Sequence, residues 1–191
     1  MGQMKDNQIR IIGGKWRGRK LQVVEADGLR PTPDRIRETL FNWLAMDCPG
    51  AGALDCFAGS GALGLEALSR GAGQLTLIER NAQAVKQLQA QLSLLKAENA
   101  EVYQGDAVEL VSRLQRSYSL LFIDPPYARP ELRARMVEQL ESSGCLRDAA
   151  RLYFEWPRGE QFELPSPRLS WLKQKSAGEV HYAIAEWRLS G

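Results

Sequence analysis

The sharpest chemical signal in the chain is Ile123-Asp124-Pro125-Pro126-Tyr127. Two consecutive prolines fix φ and remove two backbone donors. What remains is a cluster of acceptors, the Asp124 carboxylate and the carbonyls of the proline segment, followed by a planar aromatic ring. An exocyclic amino group on a nucleobase offers the complement, two N–H donors beside a flat ring face. Asp124 and the Pro125 carbonyl would hold both hydrogens, and Tyr127 would stack on the ring. The nitrogen lone pair could then be aimed at an electrophilic methyl group. Such a transfer is an in-line displacement from sulfonium to nitrogen, helped mainly by positioning and electrostatics. The methylated nitrogen is cationic and acidic, so Asp124 or water can take its proton and no strong base is required. The plainer alternative is a rigid turn after a strand.

A second signal lies upstream, in Ala53-Leu54-Asp55-Cys56-Phe57-Ala58-Gly59-Ser60-Gly61-Ala62-Leu63-Gly64. A short apolar run, a glycine turn and a helix start follow one another, and the helix points free N–H groups into the turn. Gly59, Gly61 and Gly64 form a literal GxGxxG, which reads first as a dinucleotide site. Asp55 argues against that ligand, because an acid at the strand end would repel a pyrophosphate. It suits a ligand with an ammonium group. S-adenosylmethionine carries an ammonium and a sulfonium and has no phosphate. Glu79 ends the next apolar run and can bind both ribose hydroxyls of either cofactor. Asp106, after Gly105, could accept from an adenine amino group, cap the following helix, or do both.

Other chemistries find less support. Cys48, Cys56 and Cys145 are scattered, so neither a zinc site nor a disulfide framework is indicated. None has a basic neighbour in sequence that would activate it, which disfavours methylation at a pyrimidine carbon. His181, the single histidine, lies in a strand pattern and gives no basis for a His-based metal site. No metal is expected.

These residues need a scaffold that brings strand ends together. The 191 residues suit one domain plus an appendage, and 44% hydrophobic with 25% charged residues is an ordinary globular mix. From residue 53 onward, strand and helix patterns alternate: strands at 53–57, 74–79, 101–104, 118–123 and 152–156, and helices at about 62–70, 81–96, 108–114 and 131–140. Two further strands, at 171–175 and 180–188, meet at Ser176-Ala177-Gly178. Such repeats predict a mostly parallel sheet with helices on both faces and one antiparallel strand near the end. Asp55, Glu79, Asp106 and Asp124 would line its carboxyl edge, where ligands bind in this architecture.

The net charge is only +2, so any nucleic-acid surface must be a local patch. Arg10, Lys15, Arg17, Arg19 and Lys20 fall in one acid-free stretch. Ile9–Ile12 and Lys20–Val24 read as two strands around a glycine-rich turn with Trp16 at its tip. This hairpin could clamp RNA through its cations and a stacking ring, or be a solvated edge with its tryptophan in the core. In Arg30-Pro31-Thr32-Pro33-Asp34, Thr32 can cap a helix and Pro33 suits its first position. Arg30, Arg35 and Arg37 fall on or beside its first turn and could extend the patch. Residues 1–29 are expected to form the basic extension and 30–191 the catalytic domain. No apolar stretch or leader pattern opens the chain, which reads as cytoplasmic.

The glycine loop together with Asp124-Pro125-Pro126-Tyr127 resembles the class I methyltransferases that act on exocyclic amines. Arg10-Ile11-Ile12-Gly13-Gly14-Lys15-Trp16-Arg17-Gly18-Arg19-Lys20-Leu21 and Arg30-Pro31-Thr32-Pro33-Asp34-Arg35 resemble the RsmD family of bacterial small-subunit rRNA guanine-N2 methyltransferases. The resemblance covers nearly the whole chain, is strongest before residue 70 and weakest across 140–170. It implies a seven-stranded Rossmann-like sheet, S-adenosylmethionine as cofactor, and methylation of guanine 966 of 16S rRNA in assembled small-subunit particles; separately, the chain is expected to be a monomer. By position the resemblance implies cofactor contacts at Asp55, Phe57, Ala58, Gly59, Ser60, Gly61, Glu79, Arg80, Asp106 and Ala107. Asp124, Pro125, Pro126 and Tyr127 become the catalytic set. Arg10, Lys15, Trp16, Arg17, Arg19, Lys20, Arg30 and Arg35 become the RNA contacts. The family admits Phe or Tyr at position 127, so the ring rather than the hydroxyl is expected to matter.

Three other readings remain open at this level. A DNA adenine or protein glutamine methyltransferase would share the Asp-Pro-Pro-Tyr chemistry, although the short chain has no large target-recognition domain. A non-catalytic rRNA-binding assembly factor would keep the hairpin without needing that motif. A nicotinamide-binding protein would need only the glycine loop.

Overall fold

The computed structural model describes residues 8–23 and 32–189. Seven strands form one sheet in the order β5-β4-β3-β6-β7-β9-β8. They are β3 (Gly52–Asp55), β4 (Gln74–Glu79), β5 (Ala100–Gln104), β6 (Tyr118–Ile123), β7 (Leu146–Pro157), β8 (Leu169–Ala177) and β9 (Val180–Trp187). Strands β3 to β7 run parallel, and β9 lies antiparallel between β7 and β8. This is the expected Rossmann-like sheet with one reversed strand. The chain steps outward from β3 to β4 and β5, then returns to place β6 on the other side of β3. That reversal opens a crevice at the carboxyl ends of β3 and β6.

Side-chain alternation along the central strands divides the core in two. Ala53, Leu75, Leu77, Leu120, Phe122 and Tyr153 join one buried cluster with α1 (Asp34–Trp43), α2 (Ala62–Ser69) and α3 (Ala82–Leu95). Leu54, Ile78, Leu121, Ile123, Leu152 and Phe154 join another, with α4 (Ala107–Leu110) and α5 (Glu131–Ser143). Every position of α2 is buried, so it is wedged between the sheet and what lies outside it. What lies outside it is the hairpin β1 (Gln8–Arg10) and β2 (Lys20–Gln22), whose Ile11 and Leu21 enter the first cluster.

Local chemistry explains the element ends. Asn81 caps α3 by accepting the Gln83 and Ala84 N–H groups. Gly144, at φ 69°, ends α5. Several boundaries differ from the sequence-based expectation. Residues 108–114 do not form one helix: α4 ends at Leu110 and a 3₁₀ turn covers Val111–Arg113. Strand β7 starts six residues before Leu152, because a bulge around Ala149 (φ 59°) resets its register against β6. Pro33, not Thr32, occupies the N-cap position of α1, and no side chain caps that helix.

Candidate active site

Asp55 ends β3 with its side chain buried, and its Oδ2 accepts the Gly64 N–H of α2 at 2.9 Å. Gly64 is there for contact. A Cβ at this position would lie 2.8 Å from Leu77 Cδ2, 3.0 Å from Leu75 Cδ1 and 3.1 Å from Asp55 Oδ2. Gly61 is there for its backbone: φ is 78°, and a Cβ would meet Leu88 Cδ2 at 2.7 Å. Between them the loop is drawn tight by the Gly61 N–H donating to the Ala58 carbonyl at 2.7 Å and by the Ala58 N–H reaching Ile78.

Glu79 is buried at the end of β4, one strand over. Its Oε2 accepts the Gly59 N–H at 2.9 Å and its Oε1 the Asn81 N–H at 2.7 Å. Glu79 thus fastens the glycine loop to the end of β4. Burial pushes the Asp55 carboxyl up to about 7, and the neighbouring Glu79 charge adds to the rise. The remaining expected cofactor residues line the same edge. Phe57 and Ser60 are half-buried, Arg80 is exposed beyond β4, and Ala107 is buried at the start of α4. Asp106 is exposed and its Oδ1 accepts the Val108 N–H at 2.9 Å, which realises the capping alternative and leaves its second oxygen at the rim.

Across the switch point, β6 delivers Asp124 to the same edge. Pairing of Asp55 with Phe122 sets Asp124 two residues further along. Its carboxyl is raised well above the ordinary value, first by desolvation and then by the nearby Glu155 and Asp55 charges, with Arg133 opposing. Pro125 is buried, whereas Pro126 and Tyr127 stand out from the surface. The family resemblance gives Tyr127 a ring and no use for its hydroxyl. In the structure that hydroxyl donates to Glu155 Oε1 at 2.6 Å. Glu155 is buried in β7, and Tyr153, fully buried on the same strand face, donates to its Oε2 at 2.8 Å. Arg133 of α5 reaches the Glu155 carbonyl, pairs with Glu160 and lies over the Phe162 ring. Glu155, Tyr153 and Arg133 were not singled out in sequence. The available signal was a lone acid inside the apolar run Leu152–Trp156, where a charge has no business unless it is paired.

The cysteines are free thiols. All three are buried; burial pushes the Cys48 thiol up to about 12 and raises Cys56 as well. His181 is half-buried, stacks on Trp156 and shares a 2.7 Å hydrogen bond with Ser176. Among the described residues no group of three His, Cys, Asp or Glu side chains is arranged to hold a metal, and no helix is long and apolar enough to cross a membrane.

The basic hairpin is docked rather than free. The Ile12 and Gly13 N–H groups donate to the two Glu66 oxygens at 2.8 Å each, and the Trp16 N–H donates to Ser69 Oγ at 3.0 Å, all on α2. Trp16 is not an exposed tip: it is half-buried against the core, in a 3₁₀ turn, with Lys15 Nζ 4.1 Å from its ring centroid. Arg10, Lys15, Arg17, Arg19, Lys20 and Arg35 are exposed. Arg37, grouped with them by sequence, is fully buried and bonds the Thr32 and Arg10 carbonyls. Arg30 lies outside the described residues.

This arrangement has known counterparts. The family described as conserved hypothetical protein 95 matches residues 9–186. Ribosomal RNA small subunit methyltransferase D of Escherichia coli K12 is 46% identical over 186 residues, covering 96% of this chain and 92% of that protein. Its Haemophilus influenzae counterpart is 38% identical, covering 93% of each. The solved structure of yhhF from Escherichia coli superposes with a TM-score of 0.87 at 43% identity, covering 96% of this chain and 99% of that one. With a shared fold and identity at this level across almost its whole length, the chain belongs to the ribosomal RNA small subunit methyltransferase D family.

Proposed function

We propose that this chain transfers the methyl group of S-adenosylmethionine to the exocyclic N2 amine of a guanine in small-subunit rRNA, guanine 966 by family resemblance. The observation that carries the reading is that neighbouring strands bring two acids to one sheet edge, Asp55 at the end of β3 and Asp124 two residues beyond Phe122, its register partner on β6. The residues present fit the cofactor. Asp55 offers a buried carboxylate oxygen to an ammonium, Glu79 stands at the ribose position, and a glycine loop too tight for side chains abuts them. When bound, S-adenosylmethionine supplies a methyl group on a positively charged sulfur.

The chain's own contribution is orientation. Asp124 and the Pro125 carbonyl accept the two amine hydrogens, and Tyr127 covers one ring face. Asp124, whose carboxyl already favours holding a proton, is a base offered by this chain for the proton the alkylated amine must shed. The hairpin cations Arg10, Lys15, Arg17, Arg19 and Lys20, with Arg30 and Arg35, would meet rRNA phosphates. The substrate is the assembled small-subunit particle, met in the cytoplasm by a monomer.

The test is transfer of labelled methyl groups to bare rRNA and to small-subunit particles lacking the modification, followed by nucleoside identification and mapping. N2-methylguanosine in particles supports the reading; a methylated adenine, a labelled protein or no transfer overturns it. Reversing the charge of Arg17 and Arg19 together should weaken particle binding and lower its salt dependence by roughly two phosphate contacts. An unchanged salt slope removes the hairpin from the interface.

A further inference from the structure

Tyr127 presents a problem that the catalytic reading leaves open. It sits between β6 and α5, outside any helix or strand, and is 42% exposed. A ring in that position would sample several rotamers, and stacking a base on it would first cost the entropy of fixing it. A stacking surface works best when its orientation is set beforehand.

The hydroxyl supplies the constraint. It donates at 2.6 Å to Glu155 Oε1, a charge-assisted contact of the short, strong kind. The acceptor is itself immobile. Glu155 lies within β7 and is 5% exposed. Its Oε2 takes the Tyr153 hydroxyl at 2.8 Å, and its carbonyl takes Arg133 at 3.3 Å. Pairing of Ile123 with Phe154 puts Glu155 level with Asp124 on the neighbouring strand. The tether therefore starts from the same sheet edge that carries the acid beneath the target amine. Burying a carboxylate to satisfy two phenols is a poor way to gain stability, since an apolar side chain of similar size would cost less desolvation. Placement at the site gives the acid a use that stability does not.

We propose that Glu155 is a positioning residue, whose buried carboxylate holds the Tyr127 ring through its hydroxyl in the orientation on which the target base stacks. This rests on the methyl-transfer reading above. It predicts that the hydroxyl of Tyr127 contributes to rate, where the family resemblance gave weight to the ring alone.

The experiment is a double-mutant cycle on the full chain with unmodified small-subunit particles: Tyr127→Phe, Glu155→Gln, and both. Rates are compared above the rising limb of the pH profile, so that altered ionisation of Asp124 does not enter. Tyr127→Phe should lower kcat roughly tenfold, the scale of one lost charge-assisted contact, with cofactor affinity unchanged. Glu155→Gln should lower kcat in the wild-type background and leave it unaltered in the Tyr127→Phe background. Losses that multiply independently overturn the proposal, as does a Tyr127→Phe variant with wild-type kcat. Because Tyr127 is exposed, that variant keeps the question answerable even if Glu155→Gln fails to fold. A wild-type protein that methylates no particle sinks the functional reading and this one with it; an active wild type with multiplying losses sinks this one alone.

Discussion

Asp55 and Gly64 touch across the seam between β3 and α2: the Gly64 N–H reaches Asp55 Oδ2 at 2.9 Å, and a Cβ on Gly64 would stand 3.1 Å from that same oxygen. One residue thus fixes how closely the helix approaches the strand and which way the acid faces. Gly64→Ala keeps the N–H but drives a methyl into Leu77, Leu75 and the carboxylate. The expected result is a destabilisation of about 1–3 kcal/mol, the range for an overpacked core. Cofactor affinity should fall by roughly tenfold as Asp55 is displaced. Thermal unfolding and titration calorimetry read the two effects. Full affinity in a stable variant would show that the seam tolerates the methyl group.

The same acid sets a pH dependence. Burial lifts the Asp55 carboxyl to about 7, so the fold favours its protonated form. Its contribution to stability is therefore greatest below the ordinary carboxylate value, declines as pH rises toward 7, and is constant above that. Cofactor binding runs the other way, because an ammonium needs the ionised acid. Affinity for S-adenosylhomocysteine should fall as pH drops below about 7, by at most about tenfold per pH unit. Asp55→Asn should bind weakly and flatten the profile. Calorimetry between about pH 5.5 and about pH 8 measures this, and a wild-type affinity flat across the range would mean that Asp55 does not meet the ammonium.

Much of the edge was legible in the chain because each of its acids ends an apolar run, and a run of that kind must be a buried parallel strand. Asp55, Glu79 and Asp124 all lie where that logic puts them. The residues that secure the site were not legible. Glu155 looks like one more position in β7 until the register against β6 places it beside Asp124. Arg37 looks like a surface cation at the first turn of α1, and only packing of the hairpin over α2 turns it inward. Pairings 28 residues apart, such as Tyr127 with Glu155, are set by strand register rather than by local periodicity. The half-buried place of Trp16 follows the same rule, since it depends on Ser69 of α2.

Asp124 is the residue on which methyl transfer should depend without cofactor binding depending on it. Replacing it with alanine removes one of the two acceptors proposed for the target amine while leaving the Gly59–Gly61 loop and Asp55 in place. The expected outcome is a loss of roughly 10²- to 10³-fold in kcat, the scale seen when one positioned electrostatic partner is deleted. Affinity for S-adenosylhomocysteine should be unchanged. Single-turnover transfer to particles and calorimetry separate the two quantities. If Asp124→Ala loses the cofactor as well, the residue supports the fold of the crevice and the chemistry lies elsewhere.

Glu66 joins the hairpin to the body of the protein, and its loss should uncouple them. Its two oxygens take the Ile12 and Gly13 N–H groups and the Arg70 side chain, and Arg37 Nη1 stands 3.6 Å away with no other hydrogen-bond partner among the described residues. Glu66→Ala would leave two backbone donors unsatisfied and take the inner carboxylate from the buried Arg37 guanidinium, which would keep only Asp34 at its other nitrogen. Removing one member of such a buried pair costs about 3–5 kcal/mol, which for a chain of this length lowers Tm by roughly 10 °C. The loss should be uneven. Amide exchange at Ile12 and Gly13 should speed up far more than exchange in β3 and β6, because the hairpin opens while the sheet holds. KM for the particle should rise as the cations of Arg17 and Arg19 lose their fixed footing, with kcat changed less. Uniform loss of protection across hairpin and sheet would mean that the two fold as one unit and that Glu66 holds up the whole rather than the hairpin.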